Sequence, residues 1–457
     1  MTPRAFTALL TGKAVRAFCR IVKRGGTAKP GKIALKICPD LLKVLSAGVK
    51  CTVITGTNGK TTCTRIVEEG FHDAGLRVFA NRSGANLIEG ITTDFIVNSS
   101  LSGKCRYDYA VLECDEAASK NVCLQLQPEV IFVTNLFRDQ VDRFGDVTNT
   151  RDWIRAGVKN APGAVLVLNG DCPVTASLAE GVTNRAVFYG FGKAAAGKCT
   201  SPGVTDLSGC PECGGELAYD QVTFSHLGAW RCKKCGKARP QLNYAVEDII
   251  SESLTGSTVA LRDGKDMLTL AVNLPAMYNI YNAAGSYAAL REAGVSAASA
   301  ANAVKNFRCG FGRMEHFDAV GKKGAHMILV KNDAGCNQVL NFLSGAEEDF
   351  TLALYINNNI SDGRDISWLE AAAFETLTDS RAKHIYVSGM CADAVYERLR
   401  KAGLSEELIT VQKNCAEFIR TLGQSENHVF IVPNYTGMME TRSEIIKQFG
   451  GTEFWED

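Results

Sequence analysis

The sequence lacks a charge surplus, a long apolar run and a generous supply of histidine. Its 50 Lys+Arg and 49 Asp+Glu leave a formal net charge of +1. A protein built mainly to coat nucleic acid needs a basic excess that is missing here, although local basic patches are not excluded. No apolar run is long enough to span a bilayer. The N-terminal apolar residues are interrupted by Lys13, Arg16 and Arg20, so no signal peptide is read there. Long-period repeats and low-complexity tracts are missing as well. With only 6 His, no nucleophilic cysteine with a partnering histidine stands out.

What is present is ordinary globular composition, 46% hydrophobic and 22% charged. The 457 residues suffice for two or three domains, each with its own core. The 17 Cys are odd in number and scattered through strand-like and helix-like segments such as Cys51, Cys63, Cys114 and Cys309. That pattern fits reduced thiols in a cytosol rather than a disulfide framework.

Residues 5–24 read as a basic amphipathic helix ended by Gly25-Gly26. Phe6, Leu10, Ala17, Phe18 and Ile21 recur at helical spacing, with Arg16, Arg20 and Lys23 on a second stripe. The plainer expectation is a helix docked on the domain behind it. The sharper one is contact with an anionic membrane surface. Beyond residue 49, β-branched runs (Cys51–Thr55, Tyr109–Glu113, Val130–Thr134, Val165–Leu168) alternate with helical patterns, as in βα units around a parallel sheet. Residues 197–245 break that rhythm and read as an insertion. Helical pattern resumes at Met277–Glu292. A last block repeats the α/β rhythm with His326–Val330, Thr351–Ile356, His384–Val387 and His428–Val432. The expected division is an N-terminal segment 1–48, a central domain 49–308 carrying the insertion 197–245, and a C-terminal domain 309–457.

The strongest local signal is Gly56-Thr57-Asn58-Gly59-Lys60-Thr61-Thr62, between a strand and a helical pattern. Glycines let backbone N–H groups converge on phosphate oxygens, and the following helix N-terminus adds partial positive charge. Lys60 can reach the outer phosphates, and Thr61 or Thr62 can hold Mg²⁺. The loop is shorter than the full Walker spacing, which would want its first Gly at Ile54.

A second signal is Cys210-Pro211-Glu212-Cys213 with Cys232-Lys233-Lys234-Cys235. This spacing predicts a closed tetrahedral zinc site that stabilises the fold and takes no part in catalysis. Too few apolar residues surround it to fold alone, so the metal would supply the missing free energy. A ribbon also raises nucleic-acid contact through Lys233, Lys234, Lys237, Arg239 and Trp230. A solvated basic face, with no nucleic acid, is the expectation preferred.

Further motifs follow in order. They are Asn81-Arg82-Ser83-Gly84-Ala85-Asn86-Leu87, Leu112-Glu113-Cys114-Asp115-Glu116, and Thr134-Asn135-Leu136 with Asp139, Asp142 and Gly145. Asn169-Gly170-Asp171-Cys172-Pro173, Pro275-Ala276-Met277-Tyr278-Asn279 with Asn282, and Gly312-Arg313-Met314-Glu315 complete the series. Together with the short phosphate loop, these resemble the Mur ligase family. Thr134 to Gln140 (TNLFRDQ), Tyr278 to Ala283 and Asp362-Gly363-Arg364-Asp365 with Ser367-Trp368 resemble its MurT branch most closely. Gln140 and Tyr278 stand where catalytic Mur ligases carry His, which is the MurT pattern. Asp333 stands where a Pro is expected, and Glu370-Ala371 replace an expected Trp-Asp.

The resemblance implies a P-loop-type α/β central domain with a parallel sheet and an inserted four-cysteine zinc ribbon, and a Rossmann-like α/β C-terminal domain. It implies an ATP-dependent ligase that phosphorylates a carboxylate and lets ammonia displace the phosphate. The carboxylate would be the α-carboxyl of D-glutamate in the lipid II stem peptide. Lys60 would neutralise phosphate charge, and Thr61 and Glu113 would hold Mg²⁺, with Glu116 the alternative acid and a strand-end ion pair the plainer role for Glu113. Asn279, Asn282 and Arg313 would surround the nucleotide, though helix-end capping also accounts for the two asparagines. The Asn169–Pro173 segment would lie on the adenine side. A separate GatD-like glutaminase is implied as partner, its Cys-His pair completed by Asp365, with Asp362 second. An ordinary Asx turn is the plainer role for either. Two rivals stay open: a self-sufficient Mur-like amino-acid ligase, and a ribbon-organised scaffold or nucleic-acid module. The place implied is the cytoplasm, with the N-terminal helix at the inner face of the membrane.

Overall fold

The computed structural model describes residues 1–22, 26–81, 84–137, 147–198, 207, 209–253, 256–307 and 313–450. The chain forms two compact units. The first comprises Met1–Glu252, Ser257–Asn273 and Asn279–Phe307; the second comprises Ser253–Gly256, Leu274–Tyr278 and Arg308–Asp457.

The first unit is built on a nine-stranded sheet. Its strands are β1 (Lys50–Thr55), β2 (Val78–Ala80), β3 (Tyr109–Glu113), β4 (Val130–Val133), β5 (Val165–Asn169), β6 (Ala186–Phe191), β9 (Tyr244–Ser253), β10 (Gly256–Asp263) and β11 (Asp266–Val272). Their order across the sheet is β11-β10-β9-β6-β5-β4-β1-β3-β2. From β2 across to β9 the pairs are parallel. β10 and β11 pair antiparallel at the edge. Every residue of β3 and β4 is buried, which explains their unbroken apolar sequences: a parallel strand is covered on both faces. β7 (Leu217–Phe224) and β8 (Leu227–Cys232) form a separate antiparallel hairpin inside the insertion.

Three helices precede the sheet: α1 (Pro3–Ile21), α2 (Lys29–Ile37) and α3 (Leu41–Leu45). α1 starts one residue after Thr2, whose hydroxyl accepts from Ala5 N, with Pro3 in the first turn. It packs inward through small residues, Ala5, Ala8, Gly12 and Cys19, with Leu9. Its bulky apolar residues face outward: Phe18 is 61% and Ile21 80% exposed. α4 (Lys60–Asp73) follows β1, and α5 (Ile88–Asn98) follows β2. Lys13 Nζ fastens α1 to the end of α5, donating to Ile96 O at 2.7 Å and Ser99 O at 2.6 Å. α6 (Ser119–Leu126) follows β3, and α7 (Val147–Asn160) precedes β5. α8 (Met277–Glu292) is buried along most of its length. No described helix is long and apolar enough to cross a membrane.

The second unit holds a six-stranded sheet. Its strands are β12 (Arg313–Phe317), β13 (Ala325–Ile328), β14 (Phe350–Tyr355), β15 (Ala382–Ser388), β16 (Ile409–Val411) and β17 (His428–Pro433). Their order is β12-β13-β17-β14-β15-β16. β12 runs antiparallel to β13 and the remaining pairs are parallel. Asp333 opens the helix Asp333–Ser344, capped by Asn332 Oδ1 accepting from Gly335 N at 2.8 Å. An acid suits the first helical turn as a Pro does, so the departure from the family pattern leaves this helix start intact.

Three of the 6 His cluster on this second sheet. His316 and His326 are cross-strand neighbours, and His326 Nδ1 lies 2.7 Å from His428 Nε2. His428 Nδ1 donates to Lys323 O at 2.9 Å, which leaves Nε2 as the acceptor of the His326 bond. An accepting Nε2 requires a neutral His428 ring. Burial pushes the His326 imidazole down from 6.5 to about 3 and lowers His428 as well. The charged groups facing them are Asp318, Glu348 and Lys323. Below pH 6.5 the unfolded chain takes up a proton that folded His326 refuses until about 3. Stability is therefore lost as pH falls through that window, at a slope approaching about 1.4 kcal/mol per pH unit. Urea titrations between these limits should show the decline, and His326→Gln should flatten it. A His326→Gln protein with an unchanged slope would remove His326 from the account.

Candidate active site

β1 delivers the chain into the turn Gly56–Gly59, and α4 begins at Lys60. β1 lies between β3 and β4, and the connections diverge to opposite sides of it. In open α/β sheets such a divergence opens a crevice at the carboxyl ends of the strands. Gly56 (φ +125°) and Gly59 (φ +85°) hold left-handed or similarly rare backbone geometry. Both also stand too close to neighbours for a side chain. A Cβ on Gly56 would lie 2.4 Å from Thr134 Oγ1, and one on Gly59 would lie 2.2 Å from Asn282 Oδ1.

The turn is fastened to the segment after β4. Thr57 N donates to Asn135 O at 2.8 Å, and Asn58 N to Asn135 Oδ1 at 3.1 Å. Thr134 Oγ1 donates to Asn58 O at 2.7 Å, and Phe137 N to Thr57 Oγ1 at 3.0 Å. Asn58 Nδ2 is buried without a partner among the described residues. Such an orphaned donor beside a helix N-terminus suits a ligand oxygen.

Lys60 folds back over the turn. Its Nζ donates to Gly56 O, approaches Thr57 O at 3.4 Å and pairs with Glu116 Oε1 at 2.8 Å. Both side chains of that pair are mostly shielded, 15% and 10% exposed. Thr61 Oγ1 donates to Glu113 Oε2 at 2.6 Å, whereas Thr62 is buried. Asn81 clasps the Glu113 backbone from both sides, accepting from its N–H and donating to its carbonyl, each at 2.8 Å. The two acids are thus sorted: Glu113 faces the hydroxyl and Glu116 faces the ammonium. On α8, Asn282 Nδ2 donates to Asn279 Oδ1 at 3.2 Å, and Asn282 abuts Gly59. The structure therefore gathers Gly56 to Thr62, Glu113, Glu116, Asn279 and Asn282 at one sheet mouth.

Other expected residues belong to the second unit or fall outside the described residues. Arg313 opens β12 of the second unit, its side chain outside the described residues. Asp139, Gln140, Asp142, Gly145 and Gly312 also fall outside them. Asp365 is exposed in the second unit. Its Oδ1 accepts from Ser367 N at 2.8 Å, a bond that holds its carboxyl below the usual range. Asp362 is committed internally. Thr436 N donates to its Oδ1 at 2.7 Å and Asn359 N to its Oδ2 at 3.2 Å, closing a capping box.

The four cysteines converge, with their Sγ atoms all within 4.8 Å of one another. Cys210 and Cys235 are 3.8 Å apart, Cys213 and Cys232 3.5 Å. Those separations are far beyond a disulfide bond of about 2.05 Å. They match the edge of a tetrahedron with metal–sulfur bonds of about 2.3 Å, roughly 3.8 Å. Cys235 N donates to Cys232 Sγ at 3.4 Å, as expected of a thiolate turn. The basic and aromatic side chains offered to nucleic acid by sequence are engaged within the chain. Trp230 is buried and donates to Gly170 O at 3.0 Å, Lys237 pairs with Glu180 at 3.1 Å, and Lys233 pairs with Glu216.

Asp171 departs from its expected adenine-side role. It is fully buried, and burial raises its carboxyl. Arg239 Nη1 donates to its Oδ1 at 2.8 Å, while Tyr281 OH and Phe191 N donate to its Oδ2 at 2.7 and 2.8 Å. No face of that carboxylate is left for a nucleotide. The fastening role of Thr134 and Asn135 also escaped sequence reading: their motif was visible, but which backbone groups they hold was not.

Comparison with known proteins extends these observations to the whole chain. The model of the Mur ligase middle domain matches residues 54–205, and that of the MurT ligase C-terminal region matches 329–438. The lipid II isoglutaminyl synthase (glutamine-hydrolyzing) subunit MurT of Streptococcus pneumoniae is 34% identical over 440 residues, covering 95% of each chain. The protein of the same name from Staphylococcus aureus is 31% identical over 449 residues, covering 98% of this chain and 99% of that one. Among solved structures, a pseudomurein peptide ligase type C from Methanothermus fervidus superposes with a TM-score of 0.65. It covers 87% of this chain and 79% of that one at 21% identity, a likeness of fold. Two family matches in the expected order and near-complete coverage by curated relatives lead to one conclusion: the chain belongs to the MurT family of Mur ligase-like proteins.

Proposed function

We propose that the chain carries out ATP-dependent amidation of the α-carboxyl of D-glutamate in the lipid II stem peptide, giving D-isoglutamine. Ammonia would come from a separate GatD-like glutaminase subunit, the two forming a heterodimer. The observation that carries the reading is the glycine turn at the sheet mouth. It sets Lys60 and Thr61 on a helix N-terminus opposite two acids, in a chain whose relatives bear this activity in their name.

A triphosphate laid along Gly56–Thr62 meets backbone N–H groups and the helix dipole. Lys60 exchanges Glu116 and the loop carbonyls for the outer phosphates. Thr61 Oγ1 and a Glu113 carboxylate oxygen, 2.6 Å apart, are hard oxygen donors that would hold Mg²⁺. When bound there, the ion neutralises charge on the outer phosphates. Asn58, Asn279 and Asn282 are assigned to the nucleotide. A carboxylate oxygen attacks the γ-phosphorus, the bond to the ADP oxygen breaks, and an acyl phosphate forms. Ammonia then adds to the acyl carbon and inorganic phosphate leaves, taking up the proton that the nitrogen sheds. Asp365, exposed and held ionised by Ser367 N, is assigned to the partner's Cys-His pair in preference to Asp362.

The four thiolates take zinc as a closed, structural ion. The outward face of α1, with Phe18 and Ile21 beside Arg16 and Arg20, is assigned to the inner membrane surface where a lipid-linked substrate resides. The central domain is taken as 49–308, the ribbon as 197–245 within it, and the C-terminal domain as 309–457. A self-sufficient amino-acid ligase is disfavoured by Gln140 and Tyr278 in place of His. A nucleic-acid module is disfavoured because Trp230 is buried and Arg239 is committed to the buried Asp171.

The direct assay is co-expression with a candidate glutaminase, followed by glutamine- and ATP-dependent amidation of lipid II. Lys60→Ala should lower ATP turnover on the order of 10²–10³-fold with an unchanged circular dichroism spectrum; unaltered turnover would take the loop out of the mechanism. Asp365→Asn should cut glutamine-driven amidation by roughly 10³-fold or more, yet leave ammonia-driven amidation within about 2-fold. Equal loss with both nitrogen sources would refute the assignment. Metal analysis should find one zinc per chain, and a strong chelator should lower the melting temperature. A metal-free preparation that melts like the loaded one would contradict the structural role.

A further inference from the structure

We propose that Arg239, Asp171 and Tyr281 form a buried clamp through which the inserted ribbon positions the asparagines of α8 at the phosphate turn. The inference deepens the nucleotide reading and rests on it.

The clamp joins three parts of the first unit that are distant in sequence. Asp171 follows β5, Arg239 lies on the segment that returns from the ribbon hairpin, and Tyr281 lies on α8. Arg239 is fixed at both ends: its backbone N donates to Trp230 O at 2.9 Å and its Nη1 to Phe191 O and Asp171 Oδ1, both at 2.8 Å. Tyr281 OH lies 2.6 Å from Thr223 Oγ1 of β7 and donates to Asp171 Oδ2 at 2.7 Å. Its ring lies 4.4 Å from that of Phe191.

A fully buried carboxylate tolerates little displacement of its donors, because each lost bond leaves charge uncompensated in a poorly polarisable interior. Asp171 therefore ties the rotation of α8 to the seating of the ribbon. The next residue along that helix is Asn282, which abuts Gly59 and bonds Asn279. A small rotation of α8 about its axis would withdraw both amides from the turn or drive Asn282 into it. Arg239, Asp171 and Tyr281 are thus positioning residues: they act through Asn279 and Asn282 and do not touch the nucleotide.

The test uses the zinc-loaded full chain with its glutaminase partner. ATP affinity is read with a fluorescent ATP analogue, and kcat and KM are read under saturating ammonia. Tyr281→Phe keeps the ring and deletes one hydroxyl, and Asp171→Asn keeps the volume and deletes the charge. Each should weaken ATP affinity and raise KM for ATP by about 5- to 20-fold, with kcat within about 2-fold. Trp230→Phe removes a different bond between the ribbon and the same loop, the one to Gly170 O. It should lower the melting temperature yet leave ATP affinity within about 2-fold. Lower melting of Tyr281→Phe and Asp171→Asn with unchanged ATP affinity would overturn the clamp while leaving the nucleotide site standing. Equal weakening by Trp230→Phe would also overturn it, because general docking would then suffice. An unsubstituted chain that fails to bind ATP would overturn the nucleotide reading and the clamp with it.

Discussion

At the mouth of the first sheet, backbone occupies two places where a side chain would collide: Gly56 against Thr134, and Gly59 against Asn282. This close approach is the constraint on which the site depends. It lets Asn135 and Thr134 grip the turn through its own peptide groups, so that the turn is held before any ligand arrives. It also brings Lys60 to the first position of α4, where its ammonium is shielded from water and needs a carboxylate. Glu116 supplies one. A phosphate chain offers the same ammonium more negative charge, so exchange of Glu116 for phosphate is a substitution of one counter-ion by another rather than exposure of a bare cation. Preorganisation of this kind concentrates electrostatic stabilisation where charge develops in phosphoryl transfer.

The insertion is organised on a different principle. It has little apolar surface of its own, and its ends are gathered by four sulfur atoms at metal-ligand separations. Its seat combines aromatic packing, Phe224 and His226 against Phe137, with polar bonds. Trp230 reaches a carbonyl, and Arg239 reaches a fully buried carboxylate. Polar bonds of this sort contribute less net stability than apolar packing but fix geometry closely, since an imperfectly seated ribbon would strand Asp171. An element that is dispensable in chemistry can in this way still set the position of elements that are not.

The central strands and the phosphate turn were legible in the sequence because the physics there is local. Parallel strands buried on both faces must be apolar throughout, as β3 and β4 are, and a glycine turn between strand and helix has few alternatives. The cysteine spacing was equally plain. Other features depend on tertiary partners and left no comparable trace. β2 has three residues, and β9 to β11 mix polar and apolar residues at an edge, so neither region was named as strand. The outward turn of Phe18 and Ile21 on α1 could not be told from inward packing, because helical periodicity marks a face without saying what covers it. The Asn169–Pro173 segment carried an adenine-side resemblance, but nothing in it showed that Asp171 is buried among three donors. Asp365 stood ahead of Asp362 by resemblance alone, and Thr436 and Asn359 add the physical distinction between the fixed acid and the exposed one.

The most direct measurement is a crystal structure of the chain grown with Mg²⁺ and a non-hydrolysable ATP analogue. The account predicts phosphates along Gly56–Thr62, Lys60 moved from Glu116 onto the outer phosphate, and the ion between Thr61 and Glu113. An analogue bound away from that turn, with the Lys60–Glu116 pair intact, would contradict it.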